Sequence, residues 1–429
     1  MFCASAARAQ EPYTLASPVR NLATIFTDLY GPNGLIVDSL ATLPGEQPHS
    51  AHFSNDFQIN FSQFSTALVG QLVTVPLPSP ASGFTYRFDP SLGVFVRSTQ
   101  GFGPILAERS ETTGAGRVSF GVAFQRFTFD AIEGLDLRKV PAVFTHDRAE
   151  LLGGREDVVT TVNAIGAHVS QFTSFVSFGV TDRFDVSMAV PIVATSLSVV
   201  SDATIQRLGT VNPLTHFFRL ADGEVGNRRV FSASGSAAGL GDMIVRLKST
   251  VHARPRMGVA AGLDVRLPTG DEMNLLGTGT AGLSPFVIWS GVYEKVSPHV
   301  NVGYTWNGSS VLAGNPSTGQ SAYFPNSISY TAGADVNVSG RLTIGFDLLG
   351  RYLVDTERLV SEEFHGRDGR STFPNIAFRQ SSFKTLAGAV GLKANLVERF
   401  LVDVNLLFKL DDHGLRDKVT PLVGIEYAF

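Results

Sequence analysis

The sequence predicts an all-β fold: a transmembrane antiparallel β-barrel of about 12 strands, preceded by an N-terminal, partly helical segment. Three observations predict it. Apolar and polar residues alternate with the two-residue period of a strand over most of residues 116–429. Connections between these runs alternate between short and long, as periplasmic turns and extracellular loops do. No window approaches the roughly 18 consecutive apolar residues of a spanning helix. A closed barrel is the other form that satisfies its backbone in lipid.

Composition fits a wall with two unlike faces. Of 429 residues, 44% are hydrophobic and 17% charged, with 43 Gly, 32 Phe and a net charge of -4. The near-neutral balance argues against nucleic acid as a partner, because phosphate binding needs a concentrated basic surface. The single cysteine, Cys3, excludes an internal disulfide and thiolate metal clusters.

Residues 1–10 carry Ala7-Arg8-Ala9 before Gln10, the small-x-small form of a signal-peptidase site, and read as the end of a signal peptide. A disordered terminus is the bland alternative. Residues 11–115 read as a plug or a small periplasmic domain. Ser17-Pro18 can start a helix with Val19, Leu22, Ile25, Phe26 and Leu29 on one face, stopped by Gly31 and Pro32. A second candidate runs from Asn55 through Phe57, Phe61, Phe64, Leu68 and Leu72. A free-standing domain of this size with two short helices would have a marginal core, which favours the plug.

From residue 116 to 429 the strands come in pairs. Val118, Phe120, Val122 and Phe124 alternate with Ser119, Gly121, Ala123 and Gln125. The pattern returns over 158–180, 184–193, 242–251, 257–267, 281–292, 298–308, 328–339, 341–354, 383–396 and 400–410. It ends at 419–429, where Val419, Pro421, Val423, Ile425, Tyr427 and Phe429 form the lipid-ready face. Turns near 181–183, 253–256, 294–298, 339–341 and 397–399 are short, whereas 130–157, 198–239, 268–280, 309–327, 355–382 and 411–418 are expected loops. A β-sandwich has no reason to segregate its connections in this way. Trp289, Tyr293, Tyr304, Trp306, Tyr352, Tyr427 and Phe429 are candidates for interfacial girdles.

Charged residues opposite the lipid-facing positions belong in the lumen, since Arg or Lys on the lipid face costs about 2–4 kcal/mol at midplane. Arg246, Asp264, Arg266, Asp347 and Arg351 are the candidates for a polar constriction; simple pairing of acids and bases across strands and against the plug is the alternative. Leu208, Leu214, Phe217 and Phe218 are apolar residues of the 198–239 loop, fit for a greasy approach to the lumen or for a lid over its mouth.

Several segments carry a family resemblance. They are Gly101-Phe102-Gly103-Pro104-Ile105, Ser170-Gln171-Phe172-Thr173 with Gly179 to Val186, Gly239-Leu240-Gly241-Asp242, Arg266-Leu267-Pro268-Thr269-Gly270-Asp271, and Asn274 to Gly279. Over roughly residues 100–300 the chain resembles the bacterial outer-membrane barrels named for the meta-pathway of phenol degradation. The resemblance implies an outer-membrane location and uptake of small aromatic or hydrophobic compounds, and it supplies no catalytic or binding residues. In plan, a plug before a barrel, the chain is more distantly similar to the fatty-acid and hydrocarbon channels. Its ending, Tyr427 and Phe429, resembles the signal by which the barrel-insertion machinery takes up such chains.

Catalytic chemistry is thinly represented. His49-x-x-His52 has no neighbouring ligand set, and His413 beside Asp411, Asp412 and Asp417 reads as a solvated acidic loop or a cation or lipopolysaccharide contact. Gly239-x-Gly241 and Gly277-x-Gly279 precede no helix and suit tight turns or strand packing. The expected function is therefore a passive channel, with no cofactor and no metal. Its partners are a small-molecule solute, outer-membrane lipid and lipopolysaccharide. A non-conducting surface barrel is the alternative, and a barrel enzyme a third.

Overall fold

The computed structural model describes residues 14–16, 21–31, 34–40, 42–43, 47–48, 51–54, 64, 66–68, 86–89, 94–97, 107–146, 156–209, 211–220, 223–397 and 400–428. The signal-peptide end with Cys3, Val19, Phe57, Phe61, Leu72, His49, the Gly101–Ile105 motif and Phe429 lie outside them.

Twelve antiparallel strands meander into a closed barrel. They are β1 (Val118–Ile132), β2 (Val158–Thr181), β3 (Phe184–Gln206), β4 (Arg228–Leu240 continued by Met243–Arg254), β5 (Met257–Leu267), β6 (Gly282–Gly291), β7 (Val296–Asn307), β8 (Ser327–Ser339), β9 (Leu342–His365), β10 (Thr372–Val397), β11 (Phe400–Lys409) and β12 (Val419–Ala428). Each pairs with the next, and β12 closes on β1 through Leu422↔Gln125 to Ala428↔Ser119. The closure leaves the membrane-spanning wall without an edge.

The outer face is the apolar one over the membrane. Phe120, Phe124, Phe172, Phe178, Val287, Val302, Phe346 and Ile425 point outward and are exposed. Asp185, Lys248, Arg266, Asp335, Asp347, Lys393 and Asp403 point inward and are buried. Tyr304 and Trp306 pack edge to face at 4.7 Å on one rim, and Phe400 lies 4.7 Å from Tyr427 on the other. Val287→Arg should cost about 2–4 kcal/mol in refolding into vesicles, and Ser284→Arg on the lumen face of the same strand much less. Equal costs would mean that the faces have been misread.

Long parts of three expected loops are strand. Strand β9 runs on to His365, β10 begins at Thr372, β3 reaches Gln206, and a further strand, Val140–His146, pairs with β2. The reason is a change of face. Along β3 the outward residues are apolar up to Ile192; beyond it Ala194, Ser196 and Ser198 face out while Val193, Leu197 and Val199 turn in and are buried. On β1 the same switch follows Phe124, where Phe127 and Phe129 turn inward. A search for lipid-facing residues therefore ends these strands too early.

The inward residues of the tall walls enclose a hydrophobic core inside the lumen. Phe127, Phe129, Ile165, Leu197, Val199 and Phe231 meet Leu22, Ile25, Phe26, Leu29 and Tyr30 of the N-terminal segment. The first expected helix is seen there as a 3-10 turn at Leu22–Thr24 followed by α1 (Ile25–Asp28). Of the second, Phe64 and Leu68 are described, both in the same core. Tyr30 reaches Ser201 through its hydroxyl at 2.7 Å, and its ring meets Phe144 and Phe231 edge to face at 5.3 and 5.1 Å. Burial pushes the phenol pKa up.

Candidate functional site

Alternation along β4 and β5 puts Arg246 opposite Asp264, both facing the lumen. They form a bidentate pair, with Nε and Nη2 each 2.7 Å from a carboxylate oxygen. The third partner comes from the N-terminal side. Glu108 accepts from Arg246 Nη1 at 2.8 Å and from Lys248 Nζ at 2.7 Å. Strand alternation could not have supplied Glu108, because it lies in a non-repetitive stretch before β1. The guanidinium of Arg246 also stacks over Phe286, 5.0 Å from the ring centre.

Glu108 lies in a stretch, 107–115, that ties itself to the end of the wall that carries the short turns. Ser110 meets Ser290 at 2.6 Å and accepts from Thr250, while Lys248 donates to the Glu111 carbonyl at 2.7 Å. The Thr113 N–H donates to Asp185 at 2.8 Å, and the Ala115 N–H to Asp182 at 3.1 Å. Arg109 lies 3.5 Å from Asp335, itself 3.7 Å from His299. His299 in turn lies 2.6 Å from Asp347. Nearly every charge here is buried, so each ion is stabilised by partners and not by water.

Above this floor lies a cavity of about 990 Å³. Its lining mixes apolar and polar side chains: Phe64, Phe127, Ile132, Phe286, Leu359 and Phe378 stand among Ser284, Asn301, Thr305, Ser329, Arg351 and Thr385. The cavity reaches from Glu108, Arg246 and Asp264 to Glu133, Arg358 and Arg416. At that upper rim Arg358 binds Glu133, and His413 Nδ1 lies 3.1 Å from Arg358. Arg416 pairs with Asp411, and the hydrogen bond from Lys409 holds the Asp412 carboxyl below the usual carboxylate range. A hairpin, Ser309–Asn315 with Gln320–Tyr323, covers one side of the cavity.

The five constriction candidates are thus divided. Arg246, Asp264 and Arg351 line the cavity. Arg266 sits 3.6 Å from Asp242 and donates to Asn307 at 2.7 Å. Asp347 belongs to the His299 row in the floor. In the mouth loop Phe217 and Phe218 are buried, Leu208 is half-buried and Leu214 exposed. That loop covers the N-terminal segment, with Asp38 and Phe217 exchanging backbone hydrogen bonds at 2.9 and 3.0 Å. Asp157 fastens it by accepting from the N–H groups of Leu208 and Gly209 and by binding His216 at 2.7 Å. Tyr427 stands on the outer face beside Phe400. Among the described residues no group of three or more His, Cys, Asp or Glu is arranged to hold a metal ion.

The chain shows a distant similarity to several solved structures. An outer-membrane channel from Pseudomonas putida F1 is 13% identical, with a TM-score of 0.42 over 75% of this chain and 99% of that one. The NanC porin is 8% identical, with a TM-score of 0.35 over 72% and 98%. A Pseudomonas aeruginosa FadL homologue is 9% identical, with a TM-score of 0.32 over 73% and 89%. No curated protein matches the sequence. A family model described as "Putative MetA-pathway of phenol degradation" matches residues 147–367, just over half of the chain. This outer-membrane β-barrel belongs to that family.

Proposed function

We propose that the protein is a passive outer-membrane channel for small hydrophobic or aromatic compounds, and that residues 11–115 act as its plug. The cavity carries this reading: a chamber of about 990 Å³ inside a membrane-spanning barrel, lined by aromatic and aliphatic side chains interspersed with polar ones. Its size is that of a small-molecule site. Arg246 and Asp264 on its floor, Arg351 on its wall, and Arg266 and Asp347 beside it set which solutes pass. Leu208, Leu214, Phe217 and Phe218 guide an apolar solute towards the mouth or close it as a lid. Diffusion does the rest, and nothing in the path needs a bound cofactor.

Single-channel conductance in planar bilayers tests this, comparing the full chain with one lacking residues 11–100. The full chain should be nearly silent and the truncated barrel should conduct. If neither form conducts although both barrels are folded, an open aqueous path is ruled out. A non-conducting surface barrel, or a solute route through the membrane-facing wall, then takes its place.

A further inference from the structure

We infer that the inward loop 268–281 is the moving leaf of the proposed channel, and that Asp242 is the positioning residue that holds it shut; this rests on the channel reading above. The wall itself prepares the site. Strand β4 is interrupted at Gly241-Asp242, opposite Pro191 of β3, which has no N–H to give to the ladder. Pairing stops at Ile192↔Leu240 and resumes at Ala189↔Ile244, with the bond from Gly241 N–H to the Pro191 carbonyl at 2.8 Å across the interval. The interruption turns the Asp242 carboxylate into the lumen, where it is 4% exposed.

That carboxylate fastens the loop at both ends. One oxygen accepts from the Gly270 N–H at 3.1 Å; the other accepts from the Thr278 N–H at 2.8 Å and the Thr278 hydroxyl at 2.6 Å. Arg266 stands 3.6 Å away as its counter-charge. The two ends of the loop touch so closely that only glycine fits. A Cβ on Gly270 would lie 2.8 Å from Gly277 Cα, and one on Gly277 would lie 2.3 Å from Asp242 Oδ1. Between them the loop closes on itself, Leu275 N–H to Glu272 O at 3.0 Å and Leu276 N–H to Asp271 O at 2.9 Å. It is therefore a compact unit clamped by one carboxylate.

What the clamp presses inward is the tip. Leu275, in the left-handed region at φ 57, and Leu276 are buried in the core that holds Leu22 and Ile25, and Thr195 donates to the Leu275 carbonyl at 3.2 Å. A non-glycine residue in that conformation persists only where its surroundings hold it there. Strand β5 ends at Leu267 and β6 starts at Gly282, so the loop fills the low side of the wall while β3 and β4 rise beyond it. Withdrawing the leaf uncovers the plug helix from that side.

The test is made on the full chain carrying Cys3→Ser and Leu276→Cys, with and without Asp242→Ala. Barrel integrity is checked by heat-modifiable electrophoretic mobility. A membrane-impermeant maleimide should react about tenfold or more faster when Asp242 is replaced, because hydrogen bonds to a charged acceptor are lost. Should Asp242→Ala fail to assemble, Thr278→Val removes the 2.6 Å bond and carries the same comparison. A second pair of cysteines reads the gate. A Cβ at Gly239 would lie 3.2 Å from Leu276 Cδ1, so Gly239→Cys with Leu276→Cys in the Asp242→Ala chain should silence conductance when oxidised and restore it when reduced. Faster labelling with switchable conductance supports the inference. Faster labelling without conductance keeps the latch and removes the channel beneath it. Equal labelling rates, or conductance indifferent to the tether, overturn it.

Discussion

Replacing Glu108 with alanine should destabilise the protein by about 3–5 kcal/mol, the usual cost of stranding a buried charge by removing its partner. Lys248 is 3% exposed and holds Glu108 at 2.7 Å; without it, the nearest carboxylate is Asp185 at 3.9 Å. Arg246 fares better, because Asp264 keeps both of its bonds. The loss should appear in urea denaturation from vesicles, with a rise in conductance as the 107–115 stretch loosens. Adding Lys248→Met should recover much of the stability, since an apolar residue of similar length asks for no counter-ion. An unchanged midpoint for Glu108→Ala would mean that the floor is wetter than its burial implies.

Tyr30→Ala tests the other end of the N-terminal segment. It removes a fully enclosed aromatic ring, its two edge-to-face partners and the bond to Ser201, for an expected cost of about 3–5 kcal/mol. Tyr30→Phe forfeits the hydroxyl alone and should cost about 1 kcal/mol. The barrel ladder does not include Tyr30, so the cost falls on docking of the N-terminal segment. Protease added from the periplasmic side should cut that segment faster in Tyr30→Ala while the barrel remains resistant. Unaltered cleavage would show that the ring does not anchor the segment.

The membrane-spanning part of the fold is legible because lipid imposes a simple rule. In β12, from Val419 to Ile425, every second residue faces out, and sequence shows it directly. The tall extramembrane walls were hidden by the same rule, since apolar residues there face inward. Alternation along β4 and β5 made Arg246 and Asp264 readable as lumen residues. Glu108, Arg109 and Tyr30 were not readable in this way. Their partners lie 138, 226 and 171 residues away in sequence, and no local pattern relates segments so far apart. The glycines of the 239–241 and 277–279 motifs could be recognised as packing positions; that Asp242 gathers them could not, because the contact exists only after the loop has folded inward.

The change of face along the tall strands also works as a ruler. On β3 the outward apolar run from Phe184 to Ile192 ends where the inward one begins at Val193. With a rise of about 3.3 Å per residue and a tilt of about 40°, that run spans roughly 20 Å along the membrane normal. The protein is therefore gauged to a thin hydrocarbon layer, within a residue or two. A thicker bilayer cannot be met by sliding the barrel, for the next outward residues are Ala194, Ser196 and Ser198, backed by the core that encloses the N-terminal segment. The proposed plug would then feel bilayer thickness through the wall that encloses it.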